Sequence, residues 1–85
     1  MAGYKYTEFL NKVLIASRES RIQLTEPIIS YNLGNEDGFS VFINPNGLIN
    51  VQESVFLFAG LIDGVTVESY DETENCIVVW FRSIE

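Results

Sequence analysis

The hydrophobic spacing along the chain changes character near Pro27. Before it, Tyr6, Phe9, Leu10, Val13, Leu14 and Ser17 or Arg18 recur at three- and four-residue steps, with Lys5, Glu8, Lys12 and Glu19 on the other side. That spacing predicts an amphipathic helix of about four turns. Thr7 is a candidate cap and Gly3 an alternative start, while the end is blurred between Ser17 and Arg21, where apolar residues thin out. Glu8 precedes Lys12 by four residues, the favourable order for a helical ion pair worth about 0.2 to 0.5 kcal/mol. Thr25-Glu26-Pro27 must be non-helical, because proline biases the residue before it away from helical backbone.

After Pro27 the signals are those of strands. Ile28-Ile29-Ser30-Tyr31, a turn over Gly34-Asn35-Glu36-Asp37-Gly38 and then Phe39-Ser40-Val41-Phe42-Ile43 predict a hairpin. Asn44-Pro45-Asn46-Gly47 supplies a second tight turn, from which Leu48-Ile49-Asn50-Val51 can continue as a short third strand. The stretch from Asn50 to Gly64 favours a helix: Glu53 follows Asn50 at capping-box spacing, Val51, Val55, Phe58 and Ile62 share a face, and Gly64 stands where a helix would stop. Gly60 and the run Val55-Phe56-Leu57-Phe58 keep a strand open as the alternative. Val65 to Tyr70 alternates cleanly, Asp71 to Asn75 is a polar loop, and Cys76-Ile77-Val78-Val79-Trp80-Phe81 is apolar on both parities, as in a strand covered on both faces.

This order predicts an α+β fold. It is one two-layer domain over residues 1–85, with the N-terminal helix and a second, shorter helix on one side of an antiparallel sheet of four or five strands. Trp80 is expected in the core. Residues of the opposite parity, such as Ser40 and Phe42 or Ile77, Val79 and Phe81, are expected to face away from the helices. Gly34, Gly38, Gly47, Gly60 and Gly64 are expected at turns and caps.

Charge sharpens the picture. From Ile22 to Phe81 there is no Lys or Arg in sixty residues, whereas Glu26, Glu36, Asp37, Glu53, Asp63, Glu68, Asp71, Glu72 and Glu74 lie inside that span. The first twenty-one residues net +2 and the rest −9, which together give the −7 of the chain. Such a surface repels nucleic acid and anionic membrane and attracts basic partners, with a reach of about 8 Å at physiological ionic strength. Eleven aromatic residues and a 47% hydrophobic fraction are more than a chain of 85 residues easily hides. An apolar patch rimmed by charge is the form of a protein-binding surface.

Catalytic chemistry finds little material. The chain has no His, which removes the commonest general base and the Ser/His/Asp and Cys/His pairings. Cys76 is alone, so neither a disulfide nor zinc is expected, and its acidic surroundings disfavour a thiolate; a packed structural thiol is expected. Glu68, Asp71, Glu72 and Glu74 lack the ligand spacing of a calcium loop, and an exposed hairpin loop does not hold paired carboxylates across a cleft. There is no phosphate-binding loop. We therefore expect no enzyme, no cofactor, no metal and no direct contact with nucleic acid. With no signal-like N-terminus and no apolar run near the length of a membrane span, the expected setting is cytoplasmic.

The expected function is protein binding. Glu36, Asp37, Glu68, Tyr70, Asp71, Glu72 and Glu74 are the candidate contact residues, able to meet Arg and Lys that line a nucleic-acid groove. In size and charge the chain resembles the small acidic inhibitors that phages and mobile elements direct at nucleic-acid enzymes: anti-CRISPR proteins, uracil-DNA glycosylase inhibitors and the immunity proteins of nuclease toxins. Tyr70-Asp71-Glu72-Thr73-Glu74-Asn75 before an apolar strand is similar to a hairpin of the phage uracil-DNA glycosylase inhibitor, and Gln52-Glu53-Ser54 is similar to its contact strand. The spacing between these pieces is shorter here, so no residue role is carried across. The alternative is a homodimeric structural or accessory protein whose charge keeps it dispersed.

Overall fold

The helix of fifteen residues that opens the fold, α1 (Tyr6–Ser20), buries Phe9, Val13 and Ala16. In the computed structural model, residues 6–33 and 36–83 are described, without the side chains of residues 32, 33, 36 and 37. Gly3, Lys5 and the Gly34-Asn35 part of the hairpin turn lie outside them. At 100° per residue Phe9, Val13 and Ala16 form one stripe, and Leu14, expected in it, falls on the flank and is exposed. The helix stops at Arg21, whose φ of 60° is left-handed, and the Ile22 N–H then donates to the Ser17 carbonyl at 3.1 Å. This is a Schellman-type stop formed without glycine.

The chain continues into β1 (Leu24–Leu33) and β2 (Glu36–Ile43), then α2 (Val51–Gly60), β3 (Val65–Glu72) and β4 (Ile77–Ser83). The sheet order is β1-β2-β4-β3, antiparallel at every pairing. The α+β expectation is met, with four strands among the described residues. Strand β4 returns between β2 and β3, so β2 and β3 run in the same direction without pairing. β1 begins earlier than expected and carries register shifts around Glu26. Pro27 sits in that irregular stretch of an edge strand, where a missing N–H is tolerated.

No third strand follows the Pro45 turn. Leu48 donates to the Pro45 carbonyl at 3.2 Å, Ile49 is fully exposed, and Asn50 is already the cap of α2, its side chain accepting from the Glu53 N–H at 3.0 Å. The helical reading of this stretch is the one observed, although α2 ends at Gly60 and Gly64 serves the turn into β3 with φ 85°. Gly38 lies inside β2 and Gly60 closes α2, so neither is a turn glycine. Asp71 and Glu72 belong to β3, paired with Val78 and Ile77, and the loop shrinks to residues 73–76. There Thr73 Oγ1 accepts from the Cys76 N–H at 3.1 Å and donates to the Cys76 carbonyl at 2.8 Å.

Both helices cover the same side of the sheet. Phe9 stacks on Phe39 with centroids 4.1 Å apart and meets Phe81 at 5.7 Å, while Phe58 of α2 reaches Phe81 at 6.3 Å. Val13, Val55, Val41, Ile43, Ile77 and Val79 belong to the same cluster. Tyr6 ties the start of α1 to β1, its hydroxyl donating to the Ile28 carbonyl at 3.0 Å. The expectation for β4 is thereby reversed: Ile77, Val79 and Phe81 face the helices, and Val78, Trp80 and Arg82 face away. A strand apolar on both parities does not announce which side the helices take. It is also covered by helices on one face only, and half-buried Trp80 belongs to the other.

Candidate protein-binding face of the sheet

The register places the residues of the uncovered face in three rows across the four strands. The first is Tyr31, Gly38, Arg82 and Thr66; the second is Ile29, Ser40, Trp80 and Ser69; the third is Glu26, Phe42, Val78 and Asp71. Each row runs from one edge strand to the other. Ile29, Phe42, Val78 and Trp80 give the face an apolar centre, in which Ile29 is 53% exposed, Phe42 and Trp80 are half-buried and Val78 is shielded by its neighbours. Glu26 and Asp71 close the third row at its two ends, and both are exposed.

A bulge in β3 adds Glu68 to this rim. Val67 pairs with Phe81 and Ser69 with Trp80, so Glu68 is an extra residue between them. Its carboxylate lies 3.6 Å from the Arg82 guanidinium, with both side chains partly exposed. Arg82 is the sole cation of residues 22–85 in the sequence, so this contact offsets the one positive charge on the face. Burial, and after it the charge of Glu68, push the Tyr31 hydroxyl above the ordinary tyrosine range. Glu68 therefore acts on both Arg82 and Tyr31 at the first-row end of the face.

The residues proposed from the sequence divide between places. Glu68 and Asp71 join the open face. The bulge inverts the parity after it, so Tyr70 pairs with Val79 on the helix side and meets Phe56 of α2 edge-on at 6.3 Å. Glu72, opposite Ile77, shares that parity and is exposed, and Glu74 is exposed in the β3–β4 turn. Glu36 and Asp37 open β2, their backbones opposite Leu33 and Asn32, and their side chains lie outside the described parts. They stand at the far end of β2 from the β3–β4 turn, about 20 Å away at a rise of ~3.3 Å per residue. The acidic residues thus do not gather on one loop.

Sequence reasoning missed Glu26, Ile29, Tyr31, Val78, Trp80 and Arg82. The correct outward assignment of Ser40 and Phe42 was the usable signal, since antiparallel register carries their parity to Trp80 and Val78. Among the described residues no group of three His, Cys, Asp or Glu side chains is placed to hold a metal. No described helix is long and apolar enough to cross a membrane. No protein family, curated protein or solved structure matches the chain.

Proposed function

We propose that this chain is a small acidic binding inhibitor, of the anti-defence, anti-CRISPR or immunity type, that blocks a basic nucleic-acid-binding enzyme. Its contact surface is the open face of the sheet. One observation carries the reading: an apolar centre of Ile29, Phe42, Val78 and Trp80 edged by Glu26, Glu68 and Asp71, with the single nearby cation already facing Glu68. Carboxylates in this arrangement offer a phosphate-binding groove the charge it expects, and charge-assisted bonds to Arg and Lys are its strongest polar contacts. The apolar centre excludes water and slows dissociation, while the long-range field speeds encounter. Binding needs no enzyme activity, cofactor, metal, membrane or direct contact with nucleic acid, and the reading places the protein in the cytoplasm, that of the host if it is phage-encoded.

A second copy is a poor occupant of this face. It would set one acidic rim against another, and like charges across an interface cost affinity. The test is a panel of basic nucleic-acid-binding enzymes assayed for loss of substrate binding as the protein is added. Inhibition that weakens with salt, and an association rate that falls at least tenfold when Glu26, Glu68 and Asp71 are all changed to Lys, is the expected result. An association rate unchanged by those reversals at low salt removes this face from the contact.

A further inference from the structure

We propose that the helix layer, on the opposite side of the fold, docks a second copy of this chain, with α1 of one copy against α2 of the other. Past its first turn, which holds Gln52, Glu53 and Ser54, helix α2 is apolar on both its inner and its outer side. Val55 and Phe58 point into the core, yet Phe56, Leu57 and the adjoining Leu61 remain 51%, 65% and 47% exposed on the other side. Large apolar side chains left outside together in this way mark a surface that meets another protein. Gly60 lies in the same outward stripe, and a Cβ built there meets nothing within 4 Å, so the backbone is open to close approach. Beside it a groove of about 290 Å³ separates the end of α1 from α2, lined by Ile22, Leu48, Leu57 and Leu61 with Ser20 and Ser54 at its margin. It has room for a large apolar side chain from outside.

Charge selects the occupant. Arg18 and Arg21 are exposed at the C-terminal end of α1, where with Glu19 between them they leave a net positive charge, and Glu53 is exposed in the first turn of α2. This layer carries both signs, whereas the open sheet face is rimmed by acids. In a two-fold pair every complementary contact is made twice, so the basic end of α1 in each copy meets the acidic start of α2 in the other. A uniformly acidic or basic partner would satisfy half of that pattern and oppose the rest. Such a dimer leaves both sheet faces outward, and the pairing stands whether or not those faces inhibit anything.

The test is the molar mass of the full chain by light scattering and sedimentation over a dilution series. A dimer that dissociates on dilution and weakens with salt is expected. Leu57→Glu should raise the dissociation constant at least tenfold with the helical circular dichroism retained. Arg18→Glu and Glu53→Arg should each weaken the dimer, and the two together should recover it. A native chain that stays monomeric at the highest attainable concentration overturns the proposal. So does a dimer that survives Leu57→Glu and is dissociated by Trp80→Glu, which would put the contact on the sheet face.

Discussion

The ring of Tyr31 lies over Gly38, its cross-strand partner on β2: a Cβ added to Gly38 would come within 2.5 Å of the Tyr31 ring. The glycine gives the ring a seat, and the ring covers backbone that glycine leaves bare. Because the atoms met are the far end of a side chain, Gly38→Ala is expected to tilt the ring outward, at a cost of about 1 kcal/mol. Urea denaturation measures the loss. The accompanying sign is a Tyr31 titration moving down toward the ordinary range, which follows from its exposure.

Alkaline stability should depend on the same ring. With the hydroxyl held above its unfolded value by burial and then by Glu68, the folded chain binds more protons than the unfolded chain once the pH passes about 10. The stability linked to Tyr31 is therefore fully present below that pH and is lost as the pH rises through the folded value. Tyr31→Phe should flatten this part of the pH profile. Glu68→Gln should lower the Tyr31 titration only in part, because burial is the larger cause; tyrosinate absorbance, compared with that of Tyr31→Phe, reads both effects.

At the end of α1, a left-handed backbone is imposed on a residue with a Cβ. Relieving it by Arg21→Gly should stabilise the fold by about 1 kcal/mol, seen as a higher urea midpoint with an unchanged slope. A lower midpoint would mean that the Arg21 side chain contributes more than its backbone costs.

Ser83 makes the opposite case inside the sheet. Its hydroxyl oxygen is buried with no hydrogen-bond partner among the described residues, and an unmatched buried polar group costs about 1 to 3 kcal/mol. Ser83→Ala is expected to raise the melting temperature. If it lowers it, the hydroxyl has a partner in solution.

Trp80 and Phe81 are neighbours on β4 with different duties. Phe81→Ala should cost about 3 to 5 kcal/mol, as truncation of a buried aromatic does, since the ring touches both Phe9 and Phe58. Trp80→Ala should cost markedly less, because its ring is half-buried on the open face. Thermal melts of the two variants side by side test the assignment of faces, and equal losses would contradict it.

Much of the fold was legible in local chemistry. The spacing of Phe9 and Val13, the Asn50 and Glu53 pair at the start of α2 and the polar stretch around Glu74 each point to the element observed. What was not legible depends on tertiary context. Ile77 to Phe81 is apolar at every position, and only the contact of Phe9 and Phe58 with Phe81 decides which half of it is core. The alternation from Val65 to Tyr70 looked unbroken, yet the bulge at Glu68 exchanges the faces of Tyr70 and Asp71. That one extra residue is why part of the expected acidic set turns toward the helices. Leu48 to Asn50 looked like a strand but leads into the cap of α2.

A sheet one strand thick has a further result. Along β2 and β4, positions one residue apart answer to different demands: Phe39, Val41, Val79 and Phe81 pack against the helices, while Ser40, Phe42, Val78 and Trp80 lie on the face the helices leave open. Under the binding role proposed above, substitutions at the second set alter the contact surface while the first set, held constant, keeps the scaffold.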